Sequence, residues 1–136
     1  EDVPAAESLR AFVHGLSPDT VYDIVTLDRL EQLPGDFDLM INATPVGMYP
    51  KTDATPVGAA VLSRTAAVFD AVYNPRQTRL LAMAAAAGAK TVAGMPMLVW
   101  QAAAAHTIWY GAAFRDSDIE QLVDDAQTEM ERLFQK

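Results

Sequence analysis

Between Met95 and Ala105 one side chain carries strong hydrogen-bonding groups, Gln101, in an otherwise apolar run. A buried amide needs a partner. Gln101 therefore reads either as a core amide bonded to nearby backbone or as a group offered to a polar ligand. Tyr73 lies just past an apolar run, where a tyrosine is a packed ring with its hydroxyl at the surface or a hydroxyl presented to a ligand. Thr44, before Pro45, ends a strand or meets a ligand, and Asp70 orients a ligand or caps a loop. Arg76 and Arg79 can meet phosphate or form a solvated helix face. Other chemistries are poorly served. His14 and His106 are far apart with no cysteine or acid at ligand spacing, so no metal site is expected. Ser8, Ser17, Ser63 and Ser117 lie in no nucleophile-elbow context, and no side chain is a credible catalytic acid or base.

The elements that must position these residues alternate in type. Leu9, Phe12, Val13 and Leu16 have helical spacing within 5–16, stopped by Gly15 and Ser17-Pro18. Residues 21–26 alternate as a strand, 27–33 form a helical turn closed by Pro34-Gly35, and 37–43 is an apolar run of buried-strand length. A Pro- and Gly-rich loop over 45–57 leads to a short apolar piece, 57–62, and a second strand, 66–72. Asn74 is placed to cap a helix with Pro75 at its first position, continuing over 76–87 to a stop at Gly88. A short strand over 90–93 follows. Residues 96–113 read as a helix apolar nearly all round, hence packed on several sides. Ser117-Asp118-Ile119-Glu120 reads as a capping box for a terminal amphipathic helix with Ile119, Leu122, Val123, Ala126, Met130 and Leu133 on one face.

Strands apolar on both faces and alternating with helices predict an α/β fold, a parallel sheet with helices on both faces. Ligands of such sheets bind beyond the carboxyl ends of the strands. Three loops fall there, 42–48, 71–75 and 94–97; the first two hold Thr44 and Tyr73, and Asp70 immediately precedes the second.

Charge narrows the partners. The chain of 136 residues is long enough for one domain, 51% hydrophobic, free of cysteine and formally −8 in charge, which disfavours nucleic acid. Residues 1–40 hold nine acids and two bases, 41–114 two acids and five bases, and 115–136 seven acids and three bases, so an anionic ligand fits the middle best. The most apolar run is too short and interrupted to span a membrane, and no secretory signal precedes it; cytoplasm is the expected compartment.

Three strings are more specific. Asn42-Ala43-Thr44-Pro45-Val46-Gly47-Met48, Asp70-Ala71-Val72-Tyr73-Asn74-Pro75 and Gly94-Met95-Pro96-Met97-Leu98-Val99-Trp100-Gln101-Ala102 resemble, in order and spacing, three motifs of the shikimate dehydrogenase family. The likeness covers roughly residues 36–135; the first 35 are compatible with it without being diagnostic. It implies reversible reduction of 3-dehydroshikimate to shikimate with NADP, NAD being possible. Thr44, Pro45 and Val46 would approach the cofactor, the backbone at Ala71 and Gly94 would meet its nicotinamide end, and Met97 would pack near it. Tyr73 and Gln101 would bond the substrate's carboxylate and hydroxyl region.

The resemblance also implies parts this sequence lacks. They are a substrate domain with a catalytic lysine and aspartate, a glycine-rich turn for the pyrophosphate and a basic motif for the 2′-phosphate. Residues 1–136 are accordingly expected to be the carboxyl-terminal portion of a NAD(P)-binding, Rossmann-like domain, ending in packed helices over about 94–136. The partial sheet would lack its first strands, and the catalytic residues would lie upstream of Glu1. In the strand order 3-2-1-4-5-6, 21–26 would be strand three and 37–43 strand four. The missing neighbours would leave 37–43 with an open edge, inviting pairing with a second copy or with 21–26. Such a piece is expected to be inactive alone. The competing readings are an NAD-dependent quinate/shikimate dehydrogenase and a non-catalytic nucleotide- or protein-binding module of the same fold.

Overall fold

A computed structural model describes residues 3–20 and 23–134, which divide into two compact units, 1–33 and 34–136. The first unit contains helices α1, Val3–Leu16, and α2, Leu27–Leu30. The spacing of Leu9, Phe12 and Leu16 made α1 legible, yet none of its residues is buried, and those three are 62%, 65% and 71% exposed. The strand predicted over 21–26 is not found where it can be judged. Val21 and Tyr22 lie outside the described residues, and 23–26 join no ladder. Alternation supplies a surface suited to a sheet, but only a neighbouring strand supplies the ladder's hydrogen bonds.

In the second unit three parallel strands lie in the order β1-β2-β3: Phe37–Asn42, Thr65–Asp70 and Lys90–Val92. Parallel neighbours require crossover connections, which here pass through helices α3, Ala59–Leu62, and α4, Arg79–Ala86. The register sets Met40 beside Val68 and Asn42 beside Asp70 on one face. That face is the core. Val68 and Asp70 are buried there with Val61 and Leu62 of α3 and Leu80, Leu81 and Ala84 of α4. The opposite face pairs Leu39 with Ala67 and Ile41 with Phe69, and Phe69 with Val92 of β3. Leu39, Ile41 and Val92 are more than half exposed, so the burial of both faces predicted from apolarity holds for only one of them among the described residues.

Three boundaries shift. Helix α4 begins at Arg79 rather than Pro75, because the cap is Thr78, whose hydroxyl accepts the Leu81 N–H; Asn74 caps nothing. Its stop at Gly88, φ +90°, is where glycine predicted it. Helix α5, Met95–Tyr110, ends three residues early at Gly111, which takes the left-handed cap conformation. It is also far more open than its composition predicted. Met95 and Ala103 are buried, whereas Trp100, Ile108, Trp109 and Tyr110 are exposed, since α6 is the main element packed on it.

Helix α6, Asp116–Phe134, starts before the predicted capping box: Asp118, not Ser117, closes the turn by accepting the Arg115 N–H. The Arg115 guanidinium also bonds Asp118, and that bond, before the backbone one, holds the carboxyl below its ordinary pKa. Ile119 anchors the expected apolar face. No helix among the described residues is long and apolar enough to cross a membrane.

Candidate functional site

The three predicted loops leave the carboxyl ends of β1, β2 and β3, and the protein ties them together with polar groups buried beneath them. Asn42, the last residue of β1, is 4% exposed and Asp70, the last of β2, is 0% exposed. Their register pairing brings the Asn42 Nδ2 to 2.9 Å from Asp70 Oδ1. A carboxylate oxygen only accepts, so the amide nitrogen must face it and the amide oxygen must face the other way. There it receives the Thr44 N–H at 3.1 Å and the Thr44 hydroxyl at 2.7 Å. The Thr44 oxygen in turn accepts the Val46 N–H at 3.3 Å.

Asp70 performs the same service for the second loop. Its Oδ1 also accepts the Val72 N–H at 3.1 Å, and its Oδ2 accepts the Thr78 hydroxyl at 2.6 Å. Since Thr78 caps α4, one fully buried carboxyl fixes the end of β1, the turn after β2 and the start of the next helix. Of the two sequence readings of Asp70, the structure selects the loop cap. Backbone bonds reinforce the junction: Ala71 N–H donates to Asn42 O at 2.9 Å, and Tyr49 N–H to Asn74 O at 3.0 Å. Gly47, at φ +91°, turns the first loop back beneath Ala54.

The third loop meets the second at Gly94. Its N–H donates to Val72 O at 3.2 Å, and a Cβ there would overlap the Ala71 carbonyl oxygen and stand 2.6 Å from its carbon. Only glycine lets the two backbones approach this closely. The Ala71 carbonyl accepts no backbone hydrogen bond among the described residues.

Around this junction Thr44 and Pro45 are exposed, Val46, Ala71, Tyr73 and Met97 are half-buried, and Gly94 is buried. Tyr73 is carried on the same turn as Ala71. Gln101 is exposed, which removes its reading as a core amide. It shares a face of α5 with Met97, one turn before it, opposite the face on which Ala103 and Val99 meet α6. Neither Tyr73 nor Gln101 has a side-chain partner among the described residues.

The remaining candidates lie elsewhere. Arg79 bonds the Asp53 carbonyl, Arg76 is exposed, and His106 makes a tilted ring contact with Tyr110 and an edge-on one with Phe114. Sequence reasoning missed the structural parts of Asn42 and Thr78. Asn42 stood inside a recognised string, but its bond to a residue 28 positions away has no local signal.

No protein-family model matches the chain. Individual proteins do. It is 51% identical over 85 residues to the NADP(+) shikimate dehydrogenase of Methanosarcina mazei, covering 62% of this chain and 30% of that one. One solved structure it resembles is that of a chorismate mutase/shikimate 5-dehydrogenase fusion protein from Clostridium acetobutylicum. That match has 33% identity and a TM-score of 0.74, covering 81% of this chain and 40% of that chain. A shikimate 5-dehydrogenase of Thermus thermophilus, solved with NADP(H) and shikimate, matches at 35% identity and a TM-score of 0.61, over 75% of this chain and 37% of that one. These likenesses support membership of the shikimate dehydrogenase family. The chain spans about a third of the length of the curated family members it matches.

Proposed function

We propose that this chain is the cofactor-binding portion of an enzyme that reduces 3-dehydroshikimate to shikimate with NADP. The observation that carries this reading is the union of three family motifs at the carboxyl ends of three adjacent parallel strands, closed by the Gly94 contact with Ala71 and Val72. The residues fit a nicotinamide ring. The Ala71 carbonyl is a free acceptor for a carboxamide N–H, Met97 offers an apolar flank, and Thr44, Pro45 and Val46 form an accessible rim. Bound there, the nicotinamide would supply the hydride. In this reading Tyr73 and Gln101, both unengaged by the protein, hold the substrate's carboxylate and hydroxyl region. The proton carrier comes from residues beyond 1–136.

Two results test this. In the complete enzyme, Tyr73→Phe and Gln101→Ala are expected to raise the KM for shikimate roughly 5- to 150-fold, the equivalent of about 1–3 kcal/mol for one hydrogen bond to a polar or charged group. The KM for the cofactor should move less. Wild-type shikimate kinetics in both variants would remove these residues from the site.

The isolated chain is expected to show no measurable turnover, because hydride transfer to a ketone needs a positioned acid and none is present. Its β1 edge, unpaired in the sheet, is expected to pair with a second copy. Cofactor-dependent turnover by chain of this mass, verified by mass spectrometry, contradicts the first expectation. A monomer whose β1 amides exchange like free peptide contradicts the second.

A further inference from the structure

The cofactor rim has an unusual feature in its only hydroxyl. Thr44 is exposed and stands where the proposed function places the cofactor, yet both sides of its hydroxyl are already committed to the protein. Its proton goes to Asn42 Oδ1 at 2.7 Å and its oxygen receives the Val46 N–H at 3.3 Å. The orientation is not free to reverse. Asn42 Oδ1 faces Thr44 because Asn42 Nδ2 faces the acceptor-only Asp70 Oδ1 at 2.9 Å, and that oxygen is pinned by the Val72 N–H at 3.1 Å. The same Nδ2 reaches the Val46 carbonyl at 3.4 Å, so one buried amide holds both ends of the Thr44–Val46 turn.

We infer that Asn42 is a positioning residue for the cofactor, acting through Thr44, and that the Thr44 hydroxyl shapes the turn rather than donating a hydrogen bond to the ligand. The inference rests on the proposed cofactor site and specifies how it is built. The turn then meets the cofactor with the Pro45 and Val46 side chains and the backbone between them. The turn's shape, in turn, depends on the carboxyl that also anchors the loop bearing Ala71 and Tyr73. Among the described residues, Asn42 is therefore the one side chain bonded to both the first loop and the anchor of the second.

A double-mutant cycle in the complete enzyme tests this, with the NADP Kd measured by calorimetric titration without turnover alongside the KM values for NADP and shikimate, each varied separately. Thr44→Val and Asn42→Ala both remove the bond from the Thr44 hydroxyl to Asn42 Oδ1; Thr44→Val also frees the Val46 N–H, and Asn42→Ala also removes the amide's bonds to the Thr44 N–H, the Val46 carbonyl and Asp70. Each should raise the cofactor KM roughly 5- to 12-fold, the equivalent of one net hydrogen bond, and the double variant should lose less than the product of the two single effects, because the Thr44–Asn42 bond is lost only once. Thr44→Ser, which keeps the hydroxyl, should recover most of the cofactor affinity that Thr44→Val loses. Shikimate KM and kcat should stay within about 2-fold, whereas simple destabilisation would lower the active fraction, and so kcat, without a selective change in cofactor KM. If Asn42→Ala does not fold, Asn42→Ser, which keeps a donor for Asp70, takes its place.

Val46→Glu is the control on the site itself, since it puts a negative charge beside an anionic cofactor. Additive losses in the cycle would show that Thr44 bonds the ligand directly and overturn the inference. So would unchanged cofactor KM in both single variants while Val46→Glu raises it, an outcome that leaves the site standing. If Val46→Glu is also silent, the rim is not a cofactor surface, and the proposed site falls with the inference.

Discussion

Gly94→Ala is expected to disrupt the junction of the second and third loops and to lower the melting temperature of the chain by roughly 10 °C or more. The added methyl would overlap the Ala71 carbonyl oxygen and lie 2.6 Å from the Ala71 carbonyl carbon and 2.8 Å from the Val72 oxygen. All three atoms are backbone, so no side chain can rotate away. Overpacking a core typically costs about 1–3 kcal/mol when side chains can yield; a backbone clash belongs at or above the top of that range. Relief requires α5 to withdraw from the turn after β2, breaking the 3.2 Å bond from Gly94 N–H to Val72 O. That withdrawal would also separate Met97 and Gln101 from Ala71 and Tyr73. Thermal unfolding followed by circular dichroism checks the stability. A variant melting within about 2 °C of wild type would mean that the loops are not packed as described.

The close approach at Gly94 marks where the sequence was and was not informative. A glycine opening an apolar helix was legible as a loop signal, but nothing local said that it abuts residues 71 and 72. The three strands and their loops were readable because each is a short apolar run bounded by glycine, proline or asparagine, and such signals act within a few residues. The start of α4 was misplaced for the opposite reason. Asn74 and Thr78 are both competent caps, and the choice falls to Thr78, which also bonds Asp70 eight residues earlier. The beginning of α6 likewise depends on Asp118 reaching back to Arg115.

Apolarity was over-read as burial in α5 and on the Leu39 and Ile41 face of β1. Composition shows that a surface suits a partner, while burial requires that the partner be among the described residues. Gln101 shows how these limits meet at the site. Its oddity in an apolar run was plain from the sequence, and its exposure, away from α6, selects between the two readings that oddity allowed.

Asp70→Ala is expected to be the most destabilising single substitution at the site, by about 3–5 kcal/mol, because it removes an acceptor and leaves donors buried beneath it. The Asn42 amide, the Val72 N–H and the Thr78 hydroxyl all point at this carboxyl, and Asn42, Val72 and Thr78 are each no more than 4% exposed, so water cannot readily replace it. Asp70→Asn separates the loss of charge from the loss of acceptor. Its amide oxygen can still receive Asn42 and Val72, while its amide nitrogen turns to Thr78, whose oxygen already accepts the Leu81 N–H at 3.3 Å. That variant loses only the bond in which Thr78 donates, a cost of about 1–2 kcal/mol. Chemical denaturation of the three proteins should therefore rank wild type, Asp70→Asn and Asp70→Ala in falling stability. Hydrogen exchange should localise the alanine variant's loss to Val72 and the first turn of α4. Equal stability of the alanine and asparagine variants would show that the charge, rather than the set of three donors, is what the buried carboxyl contributes. An alanine variant as stable as wild type would show that these loops are held by backbone bonds alone.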